Sequence, residues 1–164
     1  MPFTNLQSIV AGDINNCIRG VYQDNTNHAT SGTGEDDLAS TTITGNTMGS
    51  TGTLLVFAAG TITGANDQKD IDLYWGGSSI SVIVRNAAGT QDWFFTAKIT
   101  NTATNAQRIE IWKSTDSALT VNFDYTTAAI DTTANVTLKL TGECVNAGDT
   151  VTQTTFQVFT IQVA

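Results

Sequence analysis

The stretch Thr63–Ser79, TGANDQKDIDLYWGGSS, decides how the chain folds. Three aspartates, one lysine, a Tyr-Trp pair and a double glycine within seventeen residues would suit a metal loop, a phosphate loop or an aromatic platform. The order of the residues favours a strand between two turns. Asp70 and Asp72 alternate with Ile71 and Leu73, the period-two pattern of a strand with one wet and one dry face. Gly64-Ala65-Asn66-Asp67 reads as the turn entering that strand and Gly76-Gly77-Ser78 as the turn leaving it. Lys69 is then expected to pair with carboxylates across the surface, a contact worth at most about 1 kcal/mol.

The same rhythm extends outward. From Leu38 onward, strand segments are expected at 38–44, 52–63, 69–75, 79–85, 92–101, 107–113, 118–125, 134–146 and 151–163, separated by runs rich in Gly, Asn, Asp and Ser. In ALTVNFDY, Leu119, Val121, Phe123 and Tyr125 alternate with polar residues; in NVTLKLTGECV, Val136, Leu138 and Leu140 do the same. Each is expected to put its apolar side inward. Thirty threonines and only 13% charged residues, against a usual quarter or so, fit exposed sheet faces. The expected fold is an all-β, antiparallel sandwich of eight to nine strands, large enough at 164 residues to bury a core unaided.

Two segments break the alternation. Thr53–Ile62 (TLLVFAAGTI) and Thr155–Val163 (TFQVFTIQV) are apolar on both faces. Either they are central strands covered on both sides, or one face meets another subunit. On the second reading Leu55, Phe57, Phe159, Ile161 and Val163 form an oligomer interface.

Before residue 38 the pattern changes. Ile14, Cys17, Ile18 and Val21 stand at i, i+3, i+4 and i+7, with Asp13 as N-cap, which predicts a short helix. Such a helix must dock, on the β-domain or on a partner. Asp24–Asp37 lacks periodicity and reads as a linker ending in a solvated acidic turn, Glu35-Asp36-Asp37. Residues 1–37 thus form an N-terminal segment and 38–164 the sandwich domain.

A net charge of −8 with seven Lys and Arg disfavours nucleic acid and anionic membranes as partners. No apolar run approaches the roughly 20 residues that span a bilayer, and MPFTNLQSIV lacks the basic-then-apolar layout of a secretory signal. A single histidine, His28, and the absence of CxxC argue against zinc. Cys17 and Cys144 read as two free buried thiols or as one disulfide. No nucleophile elbow or phosphate loop occurs, so neither enzyme nor cofactor is expected. Of Trp75, Trp93 and Trp112, Trp93 shares a face with Phe95 and Ala97 and suits packing or an interface. Trp112 stands among charges and is the one placed to stack on a sugar ring.

The stretch 40–80 resembles small jelly-roll proteins of tailed-bacteriophage virions: tail fibres, head fibres and capsid decoration proteins. The resemblance rests on Gly52, Leu54, Val56, Ala58 and Gly60, then on Thr63, Gly64, Asn66, Lys69, Ile71, Leu73 and Gly76-Gly77, with Arg108 to Trp112 later. It implies a homotrimer on the surface of a virion, made in the host cytoplasm and attached to capsid or tail proteins by its N-terminal segment. Ile9, Val10, Ile14 and Ile18 would be the anchoring residues. The chain lacks the long repeat or coiled-coil shaft of a fibre, which favours a decoration or vertex protein. The alternative is a receptor- or glycan-binding tip that touches a host-surface glycan through Trp112.

Overall fold

The computed structural model describes residues 18–114 and 121–161. These form eleven strands: β1 (Ile18–Asp24), β2 (His28–Ala29), β3 (Gly34–Ile43), β4 (Thr53–Gly64), β5 (Gln68–Trp75), β6 (Ser78–Asn86), β7 (Gly89–Ala103), β8 (Ala106–Ser114), β9 (Asn122–Ala128), β10 (Val136–Cys144) and β11 (Thr150–Ile161). Two antiparallel sheets result. The larger runs β1-β11-β4-β7-β8-β9, with β2 also on β11, and the smaller runs β3-β10-β5-β6. β3, β4 and β5 alternate between the sheets, as do β9, β10 and β11.

Each of the nine expected segments contains a strand; the two additional strands lie in the N-terminal region. The expected helix is not found where it overlaps the described residues. Ile18 and Val21 belong to β1, an antiparallel partner of β11, while Ile14 and Cys17 lie outside the described residues. Pairing with β11 decides the matter: Ile18 is exposed while Val21 packs against the core, so the two do not share the single face that a helix requires, and a bulge lies between Gly20 and Tyr22. The expected linker also contains structure. His28 and Ala29 pair with Gln153 and Thr152, and the acidic triplet lies within β3, not in a turn.

The core fills the space between the sheets. Ile71, Leu73 and Trp75 of β5 and Leu138 and Leu140 of β10 face Leu54, Val56, Phe95, Ile99, Ile109, Phe156 and Val158 of the large sheet, all buried. Trp93 packs edge-on to Phe95 with ring centroids 6.2 Å apart, so Trp93 and Trp75 are both core residues. Gly60 sits opposite Trp93, where a Cβ would stand 1.9 Å from the Thr152 carbonyl oxygen and 2.7 Å from the indole; only glycine lets β4 and β11 close there. Cys144 is a buried thiol 3.5 Å from the Thr30 hydroxyl, and Cys17 lies outside the described residues.

The opening stretch is a strand between turns, with Ile71 and Leu73 fully buried and Asp70 and Asp72 on the outer side. Lys69 departs from expectation. Its ammonium is buried, 2.8 Å from Asp149 Oδ2, and donates to the carbonyl oxygens of Ala65 (2.6 Å), Asp67 (2.9 Å) and Ala87 (3.3 Å).

An aromatic outer face on the large sheet

Because side chains alternate along each strand, the register of the large sheet fixes which residues share its outer face. One row across the strands reads Gln157, Phe57, Thr96, Trp112 and Phe123. The next reads Phe159, Leu55, Lys98, Glu110 and Tyr125. A third adds Ile161, Thr53, Thr100, Arg108 and Thr127, with Ile18 beyond Ile161.

Two apolar patches lie on this face. The first joins Leu55, Phe57, Phe159, Ile161 and Ile18, with Phe57 and Phe159 in edge-to-face contact at 6.0 Å and 75°. Four of the five interface residues named from sequence therefore come together; Val163 lies outside the described residues. Of the anchoring residues, Ile18 is 62% exposed at the first position of β1, and Ile9, Val10 and Ile14 lie outside the described residues.

The second patch is built on β8 and β9. Trp112 is partly exposed and leans on Phe123, with centroids 5.3 Å apart and planes at 54°. Phe123 and Tyr125 are each more than half exposed, and Val121 beside them is exposed as well. The sequence reading missed these three because it turned their apolar side inward. Asp124 faces in instead, accepting from Ser81 Oγ at 2.9 Å and pairing with Lys113. Those contacts hold the Asp124 carboxyl below the usual carboxylate range, the Lys113 hydrogen bond contributing most. The polar cluster closes the β9 side of the interior and turns the aromatic side of β9 to solvent. A charged residue in the inward register of ALTVNFDY was the available signal.

Between the patches, Lys98 Nζ and Glu110 Oε2 pair at 3.0 Å, so the face is close to neutral. The outer face of the small sheet is different. Glu35, Glu143 and Asp70 lie in one row, and Asp37 and Asp72 in the next, with Lys139 the counter-charge beside them. Burial, then the charges of Glu35 and Asp70, push Asp72 up, against a hydrogen bond from Ser79. Tyr74 on the same face is pushed up to about 12, first by its hydrogen bond to Glu35. Among the described residues no cluster of three or more His, Cys, Asp or Glu is arranged to hold a metal ion. His28 pairs with Asp24 at 2.9 Å on the rim.

No family model and no curated protein matches this chain. Among solved structures, it is similar to the CBM2 module of the evolved Dit of Lactobacillus casei BL23 phage J-1, at 13% identity over 76% of this chain and 69% of that one, TM-score 0.43. It is similar also to lectin II from Ulex europaeus, at 10% identity over 88% of this chain and 92% of that one, TM-score 0.48. A third likeness is to the infectious bursal disease virus VP2 subviral particle, at 16% identity over 88% of this chain and 42% of that one, TM-score 0.34. At these scores the likenesses carry no weight for function.

Proposed function

We propose that this chain is a non-enzymatic structural protein of a virion surface, of the capsid-decoration or vertex kind, whose jelly-roll-type sandwich associates with further copies as a homotrimer. One observation carries the reading: the outer face of the large sheet exposes Phe57, Trp112, Phe123 and Tyr125, with Leu55 and Phe159 alongside. Exposed apolar patches of this kind mark an interaction site. Its neutrality allows two copies to approach, whereas the acidic outer face of the small sheet repels its like. Attachment to the particle would fall to the residues preceding β1, and binding the assembled shell alone would stabilise that state by mass action.

A second reading, a host-glycan-binding tip, is favoured by the exposed, tilted Trp112–Phe123 pair, because aromatic faces accept the CH surfaces of sugars. Light scattering separates the two. The first reading expects a trimer at micromolar protein, and a monomer from Phe57→Glu with Phe159→Glu, each placing a charge in the buried face. A wild-type monomer overturns it, and so does a double variant that still forms trimers. The second reading expects glycan binding that Trp112→Ala abolishes.

A further inference from the structure

The outer face of the small sheet carries a cavity of about 590 Å³ at the end away from the carboxylate row of Glu35, Glu143 and Asp70. Its floor is β10, at Thr137 and Lys139, flanked by Ser40 of β3 and Tyr74 of β5. One wall is the Gly76–Gly77 turn; the other is the β9–β10 connection, with Ile130, Asp131 and Asn135. The size lies in the range of small-molecule sites, about 300–1,000 Å³.

The walls are fixed before any ligand arrives. Gln107 is buried and clamps Ile130 from both sides: its Oε1 accepts from Ile130 N and its Nε2 donates to Ile130 O, both at 3.0 Å. Buried Asn101 donates to Thr132 Oγ1 at 2.7 Å, and Thr132 N donates to Thr104 O at 2.8 Å. Gly45 N donates to Asn135 Oδ1 at 3.0 Å. Opposite, Gly76 N donates to Thr137 O at 2.9 Å. A Cβ at Gly76 would come within 2.8 Å of Ile130 Cδ1, and φ there is +59°, so any side chain would have to displace Ile130 and adopt a backbone conformation that favours glycine. Such preorganisation removes ordering costs from binding.

We propose that this cavity binds a neutral, hydroxyl-rich ligand, a saccharide ring. A sugar hydroxyl both donates and accepts, so its site must offer both kinds of group beside an apolar surface for the CH face. Asn135 has its oxygen committed to Gly45, and its Nδ2 has no partner among the described residues. Lys139 Nζ is bound to Asp37 Oδ1 at 2.9 Å and lies 5.0 Å from the Tyr74 ring centroid, retaining donors for a ligand. Asp37 and Asp131 supply acceptors, Ser40 a hydroxyl, and Tyr74 and Ile130 the apolar surface. Two carboxylates against one ammonium disfavour an anion, and at the floor Lys139 and Asp37 neutralise one another. The site is on the opposite sheet from the aromatic face, so it is independent of self-association.

The test screens wild-type protein on an array of neutral and acidic glycans, then measures maltose, cellobiose and lactose by saturation-transfer NMR. Neutral glycans are expected to bind. Asn135→Asp keeps the oxygen that holds Gly45 and removes the donor, and should weaken binding about tenfold. Ser40→Trp fills the cavity from an exposed position and should abolish binding, while Trp112→Ala leaves it unchanged. Thermal melts establish that each variant is folded; should Asn135→Asp fail to fold, Ser40→Trp decides. The proposal is overturned by three results: no neutral glycan bound by wild type, binding unchanged in Ser40→Trp, or loss in Trp112→Ala with retention in the cavity variants. Light scattering on the same samples reads self-association separately.

Discussion

Lys69 sits where three connections meet. Its ammonium donates to carbonyls of residues 65 and 67 between β4 and β5 and of residue 87 between β6 and β7, and pairs with Asp149 between β10 and β11. Asp149 in turn accepts from Ala65 N at 2.8 Å. Gly64, at φ +145°, makes room for that carboxylate, since a Cβ would stand 1.9 Å from Oδ1. The hydrogen bond from Lys69, then that from Ala65, holds the Asp149 carboxyl below the usual carboxylate range. A depressed folded-state pKa contributes stability above the unfolded-state value, and that contribution is lost as pH falls through the folded-state one. Lys69→Met leaves Asp149 buried without its counter-charge, so its melting midpoint should fall clearly at neutral pH. The deficit against wild type should narrow as acid protonates Asp149. Circular-dichroism melts across a pH series check both; an unchanged midpoint at neutral pH would mean that the pair's attraction only balances its desolvation.

At the scale of elements, β5 illustrates what alternation reveals. Its outer residues Asp70 and Asp72 were legible as a wet face, and the crowding there is testable. Asp72 titrates above the ordinary carboxylate range because of burial and the neighbouring Glu35 and Asp70, so its ionised form is less favourable in the fold than in the unfolded chain. Asp72→Asn, which keeps an oxygen for the 2.7 Å bond from Ser79, should raise the urea midpoint at neutral pH. The gain should vanish as pH falls through the Asp72 pKa and wild type sheds the same charge. A variant less stable than wild type at neutral pH would contradict this. Strand positions were readable because β-type runs are separated by Gly, Asn, Asp and Ser, and most of them keep period two, even though bulges interrupt it where β5 pairs with β6, β10 with β3 and β11 with β4. The direction of a face was not, as β9 demonstrates: ordering it needs the partner sheet, and there Asp124 finds Lys113 and Ser81 while Phe123 finds Trp112. Lys69 was unreadable for a related reason, since its partners come from turns up to eighty residues away. The cavity walls likewise join β5–β6 to β9–β10 and leave no local motif.

Over the whole molecule, the described part of the N-terminal region begins at residue 18, within β1. β1 covers the free edge of β11, and Tyr22 meets the Phe156 ring edge-on at 6.0 Å. Thr30 then ties the chain down, its N donating to Val151 O at 2.9 Å and its Oγ1 accepting from Val151 N at 3.0 Å. Deleting residues 1–30 would therefore strip one side of a twelve-residue strand and leave an exposed edge that pairs with other chains. That truncation should melt at a lower temperature and aggregate. Deleting residues 1–17 leaves every one of these contacts in place and should preserve the melting midpoint. If Ile9, Val10 and Ile14 anchor the protein, as the proposed function holds, the shorter deletion should also lose attachment to particles in a co-sedimentation assay while remaining a trimer. Particles still decorated by the folded 1–17 deletion would move the attachment surface onto the sandwich itself, with the patch around Trp112, Phe123 and Tyr125 the first place to substitute.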